Sequence, residues 1–574
     1  MLDFKLLKHN LKKNLSDLPQ IKVSLLGDSA TQFLSTAIRG MGIERGYYID
    51  LYEAEYNQIE RQVLDLSSEL YEYQAKYTVI FQSTHKLLEV YSMMTPEEQS
   101  RLADNRLDFI RTLCTNLTGN VIYYNYPEID DTVFGSYANK VKTSFTYQVR
   151  KLNYELMNLS QTYQNLFVCD LAALQNKFGR NMMFDPTIYV STEMLLSLDI
   201  LPYVASRTMD IILSLEGKFK KCLILDLDNT IWGGIVGDDG WENIQVGHSL
   251  GIGKAFSEFQ QWIKKLKNRG IIIAICSKND EDKAKEPFEK NPEMILKMDD
   301  FSVFIANWEN KADNIRTIQQ ILNISFDSMV FLDDNPFERN IVRENIPNIT
   351  VPELPEDPGD YLEFLYSLNL FETTSYSNTD KDRTKQYQTE AKRVTAAKAF
   401  TNETDFLKSL NMVSEVNRFN KFNTPRVAQL SQRSNQFNLR TVRYTEDQIS
   451  SIAENQNYST FSFTLEDKFG DNGLIAVVIM KKLDSEVLFI DTWFMSCRVL
   501  KRGMENFTLN SLVEYARNHG FKKIIGEYIP TFKNSMVKEH YANLGFKPIE
   551  NVETSQWVLN VDHYQAKECY ISKK

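Results

Sequence analysis

Hydrophobic positions in this chain fall into short runs separated by longer mixed stretches. "IKVSLLGDS" (21–29), "KYTVIFQST" (76–84), "NVIYYNYP" (120–127) and "NLFVCDLAAL" (165–174) are strand-length and alternate with amphipathic segments. That alternation predicts a parallel α/β unit over 1–215. From 216 to 371 it tightens, through "CLILDLD", "GIIIAICSK", "FSVFIANW", "MVFLDDN" and "ITVPELP". Between the first two of these, Phe256, Phe259, Ile263 and Leu266 keep three- and four-residue spacing. They predict a helix that buries one face and stops at Gly270. The stretch 372–399 has few apolar residues in register and reads as a connector, or a solvated helix. Beyond it, 400–574 mixes the strands "NGLIAVVIMKKL" and "EVLFIDTWFMSC" with a helix near 505–518, an α+β pattern. Neither internal repeats nor low-complexity tracts interrupt these zones.

Composition narrows the classes. The 574 residues are 43% apolar and 25% charged, with a formal net charge of -11. A chain of this length and balance predicts a multidomain globular protein. The acidic balance argues against general binding to nucleic acid or anionic membranes. The six cysteines, Cys114, Cys169, Cys222, Cys276, Cys497 and Cys569, form no CxxC pair. That excludes the usual zinc spacing and a disulfide framework, and fits a reducing compartment. "MLDFKLLKHNLKKNL" has no signal-peptide core, and "LIAVVIM" (474–480) is far shorter than the ~20 residues of a membrane span. The expectation is a cytoplasmic protein.

The chemistry gathers where the apolar runs end. "CLILDLDNTIWGGIVG" runs straight into Asp226 and Asp228. In an open parallel sheet, ligands bind beyond the carboxyl ends of the strands. Two carboxylates buried there repel each other, and a divalent cation with a taste for hard oxygen, Mg²⁺, resolves the conflict. Other strand ends supply Ser277, then Lys311 before a helix, then Asp333 and Asp334. Acids, a hydroxyl, a lysine and two more acids are the parts that phosphoryl transfer needs. Trp232, beside Gly233 and Gly234, is either a cover over the substrate or a core residue. The spacing between Asp226, Ser277 and Lys311 leaves no room for an inserted domain, so the site is expected to be open to a bulky substrate.

This ordered set resembles the haloacid dehalogenase (HAD) superfamily of aspartate-nucleophile phosphatases. The resemblance implies a Rossmann-like domain in which Asp226 forms an aspartyl-phosphate and Asp228 serves as general acid and then base. Ser277 and Lys311 would hold phosphoryl oxygens; Asp333 and Asp334, with Asp226 and the Asp228 carbonyl, would bind Mg²⁺. "CLILDLDNTIWGGIVGDDG", "SKND", "NWENKADNIR", "FLDDNPFERN" and "NQFNLRTVRY" (435–444) are similar to the FkbH-like branch, subfamily IIIC. That resemblance implies removal of phosphate from a small phosphorylated acyl donor, 1,3-bisphosphoglycerate, and loading of the glyceryl group onto an acyl carrier protein. Two alternatives stand beside it: a plain phosphatase for small phosphoesters, and a non-catalytic assembly scaffold.

The flanks resemble other families. "LLGDSAT" is similar to the nucleophile block of SGNH hydrolases, with Ser29 in the nucleophile position. The block that should hold the histidine has Ile188 instead, so the domain over 1–215 is expected to be degenerate unless His85 substitutes as base. The zone 400–574 resembles GNAT acyltransferases. There "RVLKRG" would bind the pyrophosphate of coenzyme A, or of a carrier's phosphopantetheine, through Arg498, Lys501 and Gly503. Lys501 replaces the first glycine of that loop. Asn534 and Tyr541 occupy the family's second cofactor segment, with Tyr541 the candidate acid for a thiolate; core packing is the alternative. Cys497 is surrounded by Arg498, Lys501 and Arg502 and followed by a helix N-terminus, which favours a thiolate able to carry an acyl group. Its alternative is a small buried core residue.

Overall fold

The computed structural model describes residues 3–376, 378–397, 399–434, 436–531, 534–549 and 555–574, with the backbone alone for Asn378, Thr379, Thr395 and Cys497. The chain divides into two compact units, Met1–Leu215 and Glu216–Lys574.

In the first unit, β1 (Gln20–Gly27), β2 (Tyr48–Glu53), β3 (Tyr77–Phe81), β4 (Asn120–Tyr124) and β5 (Leu166–Cys169) form a parallel sheet in the order β2-β1-β3-β4-β5. Helices pack on it through two apolar cores, one holding Val23, Leu25 and Val79, the other Leu26, Ile80 and Tyr123. β2 falls outside the apolar runs. It is an edge strand, "YIDLYE", in which only Ile49 is buried, so its hydrophobic signature is faint.

The second unit opens with β6 (Cys222–Leu225), β7 (Ile272–Ser277), β8 (Val303–Ala306) and β9 (Met329–Leu332), all parallel, in the order β8-β7-β6-β9. Every residue of β6, β7 and β9 is buried, as expected of strands covered on both faces. The helix Ile252–Asn268 buries Phe256, Phe259, Ile263 and Leu266 against the sheet. Gly270 ends it at φ +99°, where a Cβ would lie 2.8 Å from the Asp380 carbonyl oxygen. "ITVPELP" does not form the expected strand. Thr350 makes a single bridge to Val330, and Pro352 and Pro355 have no N–H to continue a ladder. Between Asp226 and Ser277 the chain holds the short helix Val236–Asp239, the helix Ile252–Asn268 and β7; between Ser277 and Lys311 it holds the helix Glu281–Lys290, a 3₁₀ turn and β8.

The connector differs from a solvated helix. Its helix Arg383–Ala397 is pinned by charge: Arg393 is 2% exposed and lies 2.9 Å from Asp467, and both Arg393 and Arg502 pair with Glu390. Beyond it lie β10 (Met412–Ser414), β11 (Val416–Asn417), β12 (Tyr458–Asp467), β13 (Gly470–Lys482), β14 (Val487–Met495), β15 (Lys523–Tyr528), β16 (Lys547–Pro548), β17 (Ser555–Asn560) and β18 (Ile571–Lys573). The sheet order is β16-β17-β15-β14-β13-β12-β10-β18, with β11 on β12; β14 and β15 pair in parallel. The helix Met504–Asn518 follows β14 and buries Phe507, Leu509 and Leu512. Among the described residues, no helix is long and apolar enough to cross a membrane.

Candidate active site

β6 delivers Asp226 to the sheet's carboxyl end. Its N–H still donates to the Leu332 carbonyl at 3.0 Å, so the carboxylate leaves at the last rung of the ladder. Lys311 is the first residue of the helix Lys311–Leu322, whose Asn310 cap accepts from the Ala312 N–H. Its Nζ lies 3.0 Å from Asp226 Oδ2 and 2.6 Å from Asp333 Oδ2. All three side chains are under 10% exposed. Burial alone would lower the Lys311 ammonium, but Asp226 and Asp333 outweigh it and hold the group raised.

The acids bear the opposite strain. Burial, then the Asp226 charge, push the Asp333 carboxyl up to about 7, against the pull of Lys311 and the Asn335 N–H. Burial and Asp226 also raise Asp334. Thr230 braces Asp334, its Oγ1 donating to Oδ1 and accepting from the Asp334 N–H, each at 3.1 Å. One carboxylate oxygen each of Asp226, Asp333 and Asp334 lie within 4.8 Å of one another. Asp226 Oδ1 is buried with no hydrogen-bond partner among the described residues. Three carboxylates against one ammonium leave this pocket negative, and three convergent hard oxygens fit a divalent cation such as Mg²⁺.

Asp228 turns to a separate set of donors. Its Oδ1 accepts from Trp232 Nε1 at 2.9 Å and the Val236 N–H at 3.0 Å, and its Oδ2 accepts from Asn279 Nδ2 at 2.8 Å. Burial raises this carboxyl, with Asp226 and Asp334 adding to the effect while the Val236 and Trp232 donors oppose it. A raised carboxyl is suited to carry a proton to a leaving group. Trp232 is fully buried and packs on Phe288, so of its two readings the structure takes the core one, with its indole N–H orienting Asp228. Ser277 ends β7 and is 1% exposed.

Three residues had no assigned role in the sequence. Asn279 lies in "SKND" and Thr230 in "DNTIW", each inside a quoted motif. Arg339, in "FERN", is buried and donates through Nη1 to the carbonyls of Asp333, at 2.8 Å, and Asp334, at 2.7 Å. It locks the loop that carries both acids. Motif membership was the only signal for these three, because their partners are backbone atoms or the acids themselves.

The other sequence candidates do not gather into comparable sites. In the first unit, Ser29 is buried with Oγ unpartnered among the described residues. His85 stacks on Phe184 at 4.1 Å and contacts Arg180; burial and that arginine lower it to about 4. Ile188 lies in the helix Pro186–Thr192. In the second unit, Lys501 adopts φ +63° and Gly503 φ +79°, so the lysine takes a left-handed conformation that costs a non-glycine residue about 1–2 kcal/mol. Arg498 is buried toward the connector, where Gln386 and Ser496 accept from it. Asn534 is not turned to a ligand. Its Nδ2 donates to the carbonyls of Asn438 and Ile529, and its Oδ1 accepts from the Thr531 N–H. Tyr541 is a core residue, 1% exposed, whose ring leaves no space for a Cβ on Gly526; burial raises its hydroxyl far above the usual range. The Cys497 side chain lies outside the described residues.

A family model for the FkbH N-terminal domain matches residues 22–213. The crystal structure of the N-terminal part of protein BF1531 from Bacteroides fragilis, which contains a phosphatase domain and is complexed with Mg, is 69% identical to this chain. The match covers 65% of this chain and 100% of that one, with a TM-score of 0.64. The ribosomal-protein-S18-alanine N-acetyltransferase of Escherichia coli matches 25% of this chain and 91% of its own at 14% identity and a TM-score of 0.20. The spermidine N-acetyltransferase of Vibrio cholerae, in complex with CoA and spermine, matches 26% and 96% at 11% identity and 0.21. No curated protein matches the chain.

Proposed function

The chain belongs to the FkbH-like HAD phosphatases, and we propose that it hydrolyses a phosphate ester or acyl phosphate through Asp226 with Mg²⁺ as its metal. The observation that carries this reading is the convergence of Asp333 and Asp334 on Asp226, whose Oδ1 is buried without a partner among the described residues. One oxygen of each of these three would hold Mg²⁺, which supplies positive charge against the phosphoryl oxygens. The relative from Bacteroides fragilis carries Mg, in support.

The chain's own residues account for the steps. The Asp226 carboxylate attacks phosphorus, forming a P–O bond as the bond to the leaving oxygen breaks. Asp228, raised by burial, gives that oxygen its proton. Water then attacks phosphorus, passes a proton to Asp228 and releases phosphate, restoring the Asp226 carboxylate. Lys311 orients Asp226 and stands beside the oxygens that gain charge. Ser277, at the end of β7, is the candidate hydroxyl donor to the phosphoryl group.

In its finer form the proposal names an acyl phosphate such as 1,3-bisphosphoglycerate as donor: the phosphopantetheine thiol of an acyl carrier protein attacks the C1 carbonyl carbon and expels the C1 phosphate, forming the thioester, and Asp226 acts on the remaining C3 phosphate ester, so that the glyceryl group stays on the carrier. Its support is family membership, together with gaps between the acid motifs that hold single helices and strands rather than an inserted domain. The test is a phosphate-release screen over phosphoesters and acyl phosphates, with Mg²⁺ and with chelator, and with intact mass measured on an added carrier protein. Metal-dependent release that favours acyl phosphates and adds glyceryl mass to the carrier supports the full reading. Release without preference and without carrier loading leaves a plain phosphatase, and release unaffected by chelator removes the metal assignment.

A further inference from the structure

A narrow cleft of about 70 Å³ lies at the opposite end of the same parallel sheet. Lys221, just before β6, and Ile272, the first residue of β7, form its floor; Arg383 and Tyr387 of the connector helix, and Arg426, Arg433, Ser434, Ser496 and Arg498 from the C-terminal part, form its walls. Lys221 is five residues before Asp226, roughly 16 Å along an extended strand. The cleft is therefore separate from the acid cluster.

Among the described residues, five basic side chains line this cleft and no acid does. Asp380 lies behind the wall, paired with Arg433 and, at 3.3 Å, with Arg383. The other two arginines donate to neutral groups, Arg426 to Gln429 and Arg498 to Gln386 and Ser496. Arg433 Nε is buried with no acceptor among the described residues. The neighbouring ionic group shows what balance looks like. There Arg393 and Arg502 face Glu390 and Asp467, two cations against two anions.

Buried like charges are costly unless compensated. Burial first, then Arg498, Arg383 and Arg433, lower the Arg426 guanidinium to about 9, and burial with Arg383 lowers Arg433 to about 10. Guanidinium forks that share one cleft with Ser434 and Ser496 suit a tetrahedral oxyanion, since each fork can donate two parallel bonds. Lysine adds a point charge. We propose that this cleft is an anion site for a small phosphoryl compound, held between the start of the parallel sheet, the connector helix and the C-terminal part. Its ligand class is a multiply charged phosphate, either free or carried on a small organic acid.

The test uses the full chain in chelator and low-chloride buffer, so that the acid cluster has no cation to attract an anion. Inorganic pyrophosphate and 3-phosphoglycerate are titrated separately, with calorimetry and thermal unfolding as readouts. Each bound anion is expected to raise Tm, and the tighter one to raise it more. Arg426→Gln and Arg383→Gln are expected to weaken the binding at least tenfold. Arg426→Gln, which relieves repulsion, should also unfold no lower than wild type when no anion is present, so lost binding is not lost folding. Tighter binding of pyrophosphate assigns a free anion; tighter binding of 3-phosphoglycerate assigns a carried phosphate. Absence of binding by the wild type, or wild-type affinity in both variants, overturns the site.

Discussion

Both units send an inner parallel strand into a carboxylate, Asp28 after β1 and Asp226 after β6. The two carboxylates meet different company. Asp28 accepts the Ser83 N–H at 2.7 Å, and burial raises it to about 6, with the Ser83 bonds opposing. Asp226 shares its pocket with Asp333, Asp334 and Lys311. Asp28 meets burial alone and takes a proton below about 6. Around Asp226 the carboxylates repel one another as well, and a cation among their converging oxygens relieves burial and repulsion together. The lesson is that a strand-end acid in this architecture becomes chemical only when other strand ends bring partners to it. Ser29 illustrates the converse, a nucleophile type whose buried hydroxyl has no base hydrogen-bonded to it among the described residues.

Five changes test that contrast. Asp226→Asn is expected to lower phosphate release by a factor on the order of 10⁶, the scale set by loss of a covalent nucleophile. Circular dichroism should be unchanged, because the substitution is isosteric; turnover near wild type would show that the attacking group lies elsewhere. Next, Asp333→Asn with Asp334→Asn should abolish Mg²⁺-dependent activity and with it the Mg²⁺-induced rise in Tm. A double variant that still responds to Mg²⁺ would place the metal on other residues.

Asp228→Asn should cost about 10²–10⁴-fold on alkyl phosphates, the usual worth of a general acid. Less should be lost on aryl or acyl phosphates, whose leaving groups need no proton. Equal loss on both kinds of substrate would make Asp228 a positioning residue only.

The smallest effects belong to the first unit. The Asp28 carboxyl is raised in the folded chain from 3.8 to about 6, so between those values the folded state holds the extra proton and stability falls as pH rises. Above about 6 the folded chain carries the buried charge at a cost of up to about 3 kcal/mol, the free-energy equivalent of that displaced proton equilibrium. Asp28→Asn should therefore gain relative stability between pH 4 and about 6 and hold that gain above it, measured by denaturant unfolding across pH. A loss of stability independent of pH would mean that the Ser83 contact, not the charge, dominates. Ser29→Ala should leave phosphate release unchanged. Robust ester hydrolysis that depends on Ser29 would erase the contrast between the two units and recruit His85, or another base, to the first.

The positions of Asp226, Ser277, Lys311, Asp333 and Asp334 at strand or helix ends were legible in the sequence. Covalent adjacency explains this: a carboxylate next to a buried strand must emerge at its end, whatever the tertiary structure does. The helix Ile252–Asn268 was legible for a similar reason, since one apolar face at a 3.6-residue period is a local property. Tertiary structure decided the rest. β2 exists because β1 offers it an edge, and "ITVPELP" fails because its prolines cannot complete a ladder that only β9 would have formed. Trp232 and Tyr541 are large apolar groups that go wherever packing closes, and no spacing records that. The connector helix is held by Arg393 against Asp467, and Arg498 by Gln386, partners far apart in sequence. Such pairings leave no periodic trace, because they depend on distances between elements and not on the order of residues within one. For the same reason the basic cleft, assembled from widely separated segments, is visible only once the chain has folded.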